Sequence, residues 1–275
     1  MKTQKKLWSA LAALCVATGT VAQPAYNYSK LQKEQLGRGV VAIRENPSDV
    51  VVSWRYLSSD PINTSFNVYR NGEKIAEVPH STGTFYRDTY SGNEKAVYTV
   101  KPVINGVETG KLNGNYTLPA NAPSGYIDIP LDRPAEGVTP SGQKYTYSPN
   151  DASIGDVDGD GEYEIILKWD PSNAHDNAHD GYTGNVYFDC YRLTGEKLWR
   201  IDLGHNVRAG AHYTQFMVFD LDGDGKAEVV MKTSDGTKDG KGKIIGDAKA
   251  DYREPGSTDG NSLGNTPRHQ GRILT

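Results

Sequence analysis

The chain has 275 residues, a net charge of −4, 36% hydrophobic residues and 23% charged residues. That balance excludes a disordered polymer, and the lack of a basic surplus argues against nucleic acid as a partner. With 30 Gly, 17 Tyr and 14 Pro, the composition favours a turn-rich β protein over a helical one, within one large domain or two ordinary ones.

Residues 1–23 read as a secretory signal peptide. Lys2, Lys5 and Lys6 form a positive start, Leu7 to Val21 is mostly apolar, and Thr20-Val21-Ala22 offers small residues for cleavage. The apolar run is too short for a membrane anchor, and Leu14 before Cys15 argues against a lipoprotein signal. The expectation is a secreted protein (extracellular, cell-surface or periplasmic) with no membrane span. Cys15 leaves with the signal, so Cys190 remains alone and no internal disulfide is expected. Cys190 lies in an alternating stretch, Val186 to Tyr191, and reads as a small buried side chain.

Residues 37–118 predict a small β-sandwich. Strands are expected at Val40–Arg44, Asp49–Tyr56, Ser65–Arg70, Glu73–Val78, Thr84–Asp88, Ala96–Ile104 and Val107–Lys111, several alternating apolar and polar side chains. Asn71-Gly72 and Asn105-Gly106 are hairpin turns. Trp54, early in the series, is placed to anchor a core. The stretches VVVSWRYL, TSFNVYRNGEKI and AVYTVKPVINGVE make this segment resemble fibronectin type III modules.

Residues 119–147, rich in Pro and Gly, read as a linker with short strands such as Gly125–Ile129. A repeat begins at Ser148. Its first unit has a strand ending at Asp156, an acidic loop, a strand over Glu164–Asp170, a polar excursion from Pro171 to Gly184, and strands over Asn185–Leu193 and Lys197–Leu203. A second unit starts near His212 and repeats the loop and following strand, with Asp220 in the place of Asp156. Two units do not close a propeller, which typically needs roughly 4–8 blades. Residues 148–275 are therefore expected to be part of a longer propeller, with an exposed edge prone to aggregation.

The two acidic loops carry the chemistry. Asp156, Asp158, Asp160 and Glu164 stand at positions one, three, five and nine of the first, and Asp220, Asp222, Asp224 and Glu228 at the same positions of the second. Three aspartates within five residues repel one another unless a cation lies between them. Hard oxygens in a flexible loop suit Ca²⁺. The seventh residues, Glu162 and Lys226, would add backbone carbonyls. An EF-hand needs a Glu at position twelve, where Leu167 and Met231 stand instead, so that motif is excluded. A loop leading directly into a β-branched strand is the pattern of calcium turns in β-propellers. The competing reading is a metal-free Asp/Gly hairpin turn, which the matched pair disfavours.

The phrases SPNDASIGDVDGDGEYEIILKWDPSNAHDN, GYTG, LWRIDLGHNVRAGAHYTQFMVFDLDGDGKAEVVMKTSDGTKDG and ADYRE resemble the N-terminal part of secreted bacterial rhamnogalacturonan lyases, polysaccharide lyase family 11. The resemblance covers nearly the whole chain after the signal. It implies an all-β protein, a fibronectin-like sandwich followed by the first blades of an eight-bladed calcium propeller. It also implies cleavage of rhamnogalacturonan-I, a pectic polysaccharide, by β-elimination; the complete protein is expected to be a monomer. It associates Asn150 and Asp170 with rhamnose recognition, while Asx-turn capping is the structural alternative. The resemblance places the main catalytic groups in later blades, so no general base is named. The alternative function is a non-catalytic carbohydrate-binding or adhesion protein on an integrin-like calcium propeller. Weaker candidates are Asp151, Asp235 and Asp239 for further calcium sites. His175 and His179 fit a solvated loop better than zinc. Arg208 and His212 suit either a charged rim or packing.

Overall fold

The structure, a computed structural model, describes residues 35–110, 113–175 and 181–253. The signal segment lies outside the described residues, as does His179. The described residues are all-β and contain no α-helix.

Eight strands form the N-terminal part: β1 (Val41–Asn46), β2 (Asp49–Ser53), β3 (Ser65–Arg70), β4 (Glu73–Val78), β5 (Phe85–Thr89), β6 (Ala96–Ile104), β7 (Val107–Glu108) and β8 (Gly114–Leu118). They make two antiparallel sheets, one ordered β1-β2-β5 and one ordered β4-β3-β6-β7 with β8 also on β6. Alternation explains the layering: Val50, Val52 and Trp54 point inward from one sheet, and Phe66, Val68, Ala96, Tyr98 and Val100 from the other, into a shared core. Trp54 meets Phe66 edge-on with ring centroids 5.4 Å apart. Asn71 and Gly72, and Asn105 and Gly106, all have positive φ, the backbone demanded by two-residue hairpin turns.

Two expectations are corrected here. The strand expected over Val107–Lys111 covers only Val107–Glu108, and β8 was not anticipated. Only Gly114 and Leu118 of β8 are buried, so its hydrophobic signal is faint. Gly114 is required because a Cβ there would lie 2.4 Å from Arg38 Cβ. Gly125–Ile129 is not a strand. The chain there makes an isolated bridge from Ser124 to Arg44, and the short pairing of the linker is instead between β9 (Gly137–Val138) and β10 (Lys144–Tyr145).

The C-terminal part opens with a four-stranded antiparallel meander, β11 (Tyr147–Gly155), β12 (Glu164–Pro171), β13 (Tyr187–Tyr191) and β14 (Lys197–Asp202), in sequential order. A pair, β15 (Phe216–Phe219) and β16 (Glu228–Met231), follows it. Ile166, Val186, Phe188, Cys190, Leu203, Val207 and Ala209 form a second core, against which Phe216, Val218, Val229 and Met231 pack. Cys190 is buried as expected, and burial pushes its thiol up to about 12, which makes it inert. Arg208 is buried and donates to the His175 and Gly181 carbonyls, while His212 is exposed.

Candidate metal centres

Each acidic loop joins two paired strands: the first links β11 to β12 and the second links β15 to β16. The strand ends bring the first and ninth residues together, and glycines with φ of 80° and 92° at Gly159 and Gly161 turn the chain between them. The loops match bond for bond. Asp156 Oδ1 accepts the Gly159 and Asp160 amides at 2.7 and 3.1 Å, and its Oδ2 accepts the Gly161 amide at 2.9 Å. Asp220 takes the Gly223, Asp224 and Gly225 amides at 2.8, 3.2 and 3.1 Å. Asp158 accepts from Asp160, and Asp222 from Asp224, each at 3.1 Å. Asp160 accepts from Glu162, and Asp224 from Lys226, each at 2.9 Å. Glu164 closes its loop on the Val157 amide at 3.0 Å, as Glu228 does on Leu221 at 2.8 Å.

This framework turns carboxylate oxygens of Asp156, Asp158 and Glu164 to within 4.8 Å of one another, and those of Asp220, Asp222 and Glu228 likewise. Asp160 and Asp224 stand beside these groups rather than in them. The donors are hard oxygens at a separation that a single ion can bridge, so each cluster could hold a metal ion. Electrostatics point the same way. Burial pushes the Glu164 carboxyl up to about 7, Asp158 and Asp160 add to the rise, and the Val157 amide and Arg192 oppose it. Such a cluster is poorly tolerated as bare anions and is relieved by a cation.

The first loop already faces a cation of the chain itself. Arg192 donates through Nη1 to Asp160 at 2.6 Å and to Glu164 at 3.3 Å, and through Nη2 to Asp158. Sequence reasoning missed Arg192 because it lies 28 residues beyond Glu164. The signal that could have found it is register: Tyr191 pairs with Ile165, so the next residue falls beside Glu164. The first loop is also docked on the N-terminal sheets. The Gly37 amide donates to the Gly161 carbonyl at 2.6 Å, and Arg55 stacks over the Tyr163 ring at 4.6 Å. Partial burial raises the Glu162 carboxyl, with Arg55 and the Gly39 amide opposing the rise. The two loops are neighbours: the Ala227 amide donates to the Asp156 carbonyl at 2.8 Å.

Asn150 and Asp170 lie on adjacent paired strands, β11 and β12, but do not face each other directly. Asn150 is the fourth residue of β11 and lies in a bulge between Pro149 and Ala152, opposite Lys168; Ser148 is the residue directly across from Asp170. Lys168 is buried and donates to Asp151 at 2.7 Å. Asp170 Oδ1 is buried with no hydrogen-bond partner, and burial raises its carboxyl, against which Lys168 acts. Asp235 and Asp239 do not join a cluster among the described residues. Asp235 accepts the Asp247 amide and the Tyr252 hydroxyl, and Asp239 accepts the Lys241 and Lys243 amides. His175 Nδ1 lies 2.7 Å from the Asn173 carbonyl in a loop.

Comparison with known proteins is consistent along the chain. Residues 126–263 match the family model described as "Rhamnogalacturonan lyase family 11, C-terminal domain". Residues 31–115 match "Rhamnogalacturonan I lyases beta-sheet domain". The chain is 52% identical over 257 residues to rhamnogalacturonan endolyase YesW of Bacillus subtilis, covering 92% of this chain and 40% of that protein. It is 54% identical over 246 residues to rhamnogalacturonan exolyase YesX of the same organism, covering 90% and 37%. The crystal structure of YesW superposes with a TM-score of 0.73 at 56% identity over 82% of this chain and 37% of that one. The chain therefore spans well under half the length of these relatives.

Proposed function

The chain belongs to rhamnogalacturonan lyase family 11, and from that premise we propose that the complete protein cleaves the rhamnogalacturonan-I backbone of pectin by β-elimination. The observation that carries this reading is the family match over half the chain, together with the paired acidic loops in the same segment. In the reaction a base takes the C5 proton of a galacturonate, a C4=C5 double bond forms, and the C4–O bond breaks with its electrons leaving on the glycosidic oxygen. The C5 proton is barely acidic, so positive charge must face the carboxylate as negative charge develops. Relatives that act as endolyase and as exolyase match this chain about equally, so the reading stops at the reaction and does not extend to its mode.

We read residues 37–118 as a fibronectin type III-like sandwich, 119–147 as a linker, and 148–275 as the first blades of an eight-bladed propeller. The face-to-face sheets and the sequential four-stranded meander support this. Calcium is the ion that suits the loops, held by Asp156, Asp158, Asp160 and Glu164 with the Glu162 carbonyl, and by Asp220, Asp222, Asp224 and Glu228 with the Lys226 carbonyl. Bound there it would supply rigidity to turns rather than chemistry, because protein oxygens fill the loops. Asn150 and Asp170 would receive rhamnose hydroxyls; the unpartnered Asp170 Oδ1 supports this. Residues 1–23 would direct secretion, and no helix among the described residues is long and apolar enough to cross a membrane. The complete protein would act as a monomer.

The test is an ultraviolet assay for the conjugated unsaturated uronate, run on rhamnogalacturonan-I with the complete protein, with calcium and after chelation. Unsaturated product is the expected result. A folded, calcium-loaded complete protein that binds the polysaccharide and releases no such product would replace the lyase reading with that of a binding protein.

A further inference from the structure

The two acidic loops share their internal hydrogen bonds, yet the first is more buried, is docked on the N-terminal part, and differs in its charge environment. The first has Arg192 among its carboxylates, whereas no salt bridge reaches Asp220, Asp222, Asp224 or Glu228 among the described residues. Arg192 is not a loosely placed surface side chain. Its amide donates to the Glu196 carbonyl at 2.9 Å and its carbonyl accepts the Gly195 amide at 2.9 Å, which fixes its backbone in the turn between β13 and β14. Its Nε lies 3.5 Å from Glu196, leaving Nη1 and Nη2 to the loop. The pairing of Tyr191 with Ile165 sets the reach, and the guanidinium spans the third, fifth and ninth residues of the loop at once.

We infer that Arg192 is a tethered counter-cation of the first loop, holding it in its folded shape without a divalent ion and competing with calcium for the same carboxylates. The inference rests on the calcium reading of the loops and goes beyond it by making them unequal. The first loop keeps its shape across changes in calcium, as its docking on the N-terminal sheets requires, through Gly37 on Gly161 and Arg55 on Tyr163. Lys226 of the second loop lies with its side chain over Gly159 of the first, and no salt bridge among the described residues reaches the second loop's carboxylates, so that loop depends on the ion. A guanidinium is suited to this because its forked donors serve several oxygens together and its charge is permanent. Calcium entering the first loop must displace or push back that charge, which lowers its affinity there, and chelation should loosen the second loop first.

The test uses calcium alone as the probe, on the chain as it stands and on R192Q and R192K, by titration calorimetry and by thermal unfolding with calcium and with chelator. A D220N/D222N background silences the second loop, so that the heat comes from the first. R192Q is expected to tighten first-loop calcium binding by about tenfold, since a competing charge within contact distance is removed. It should also lower the thermal midpoint in chelator by about 2–4 °C, with little change in saturating calcium. R192K keeps the charge without the fork and should show the same changes to a smaller degree; it carries the test if R192Q does not fold without calcium. First-loop affinity unchanged or weakened in both variants overturns the counter-cation role while leaving the calcium reading intact. No calcium heat in the starting chain or in either variant overturns the calcium reading and the inference with it.

Discussion

Asp189 shows how a single side chain organises the first meander. It is 0% exposed, yet its carboxylate is saturated: Trp169 Nε1 at 2.8 Å, the Tyr191 hydroxyl at 2.6 Å, and Arg200 through Nε and Nη2 at 2.6 Å each. These partners come from three adjacent strands, so one acid ties β12, β13 and β14 together. D189A leaves Trp169 Nε1 and the Tyr191 hydroxyl without this acceptor and Arg200, partly exposed, with only Asp132, and is expected to cost about 2–3 kcal/mol, read as a lower denaturant midpoint. Glu108 is the contrasting case on the surface. Hydrogen bonds from Asn67, Tyr69 and Lys101 hold its carboxyl down to about 2, against an ordinary 4.5. A depressed carboxylate stabilises the fold above its unfolded-state value and loses that contribution as pH falls through the folded one. Stability supplied by Glu108 should therefore fade between pH 4.5 and about 2. E108Q should flatten that decline in acid unfolding curves and cost under about 1 kcal/mol at neutral pH, because the pair is partly exposed and screened.

At the scale of elements, turns were the most legible parts and docking the least. Asn71-Gly72 and Asn105-Gly106 announce their hairpins because few residues adopt positive φ without strain, and the structure has both turns where expected. The acidic loops were legible for a similar reason: the chemistry of Asp and Gly restricts what such a loop can do. Nothing in the first loop's sequence states that the N-terminal sheets lie on it. Gly161 makes the difference measurable. A Cβ there would meet the Gly37 nitrogen at 2.9 Å and the Gln35 carbonyl oxygen at 3.0 Å, at a φ of 92°, whereas a Cβ on Gly72 at φ 85° meets nothing within 4 Å. G72A should cost only backbone strain, about 1 kcal/mol. G161A should cost more, about 2–3 kcal/mol, by thermal unfolding of the two variants side by side. Equal losses would mean that the loop does not dock as described.

The described residues hold three cores: one between the N-terminal sheets, one between the meander and the β15–β16 pair, and a smaller one of Tyr147, Leu167, Trp169 and Tyr191. Cys190 forms no disulfide, so an ion held by the acidic clusters would act as a cross-link. An ion bound only by the folded chain stabilises it by mass action, about 2.7 kcal/mol at a concentration a hundredfold above Kd. Chelation is thus expected to lower the thermal midpoint by several degrees and readdition of calcium to restore it, while magnesium, which demands tighter octahedral geometry, should restore less. An unchanged midpoint would mean that the loops hold their shape as plain turns. Sequence by itself determined the all-β class, most strand positions and both acidic loops, because alternation, turn chemistry and the spacing of carboxylates are local properties of the chain; the family was legible only as a resemblance of longer phrases. Only the tertiary structure decided that β8 completes a sheet, that Asn150 lies in a bulge opposite Lys168, and that Arg192 sits among the carboxylates of one loop and not the other. Those facts depend on strand register and on which surfaces meet, and both are set by residues far apart along the chain.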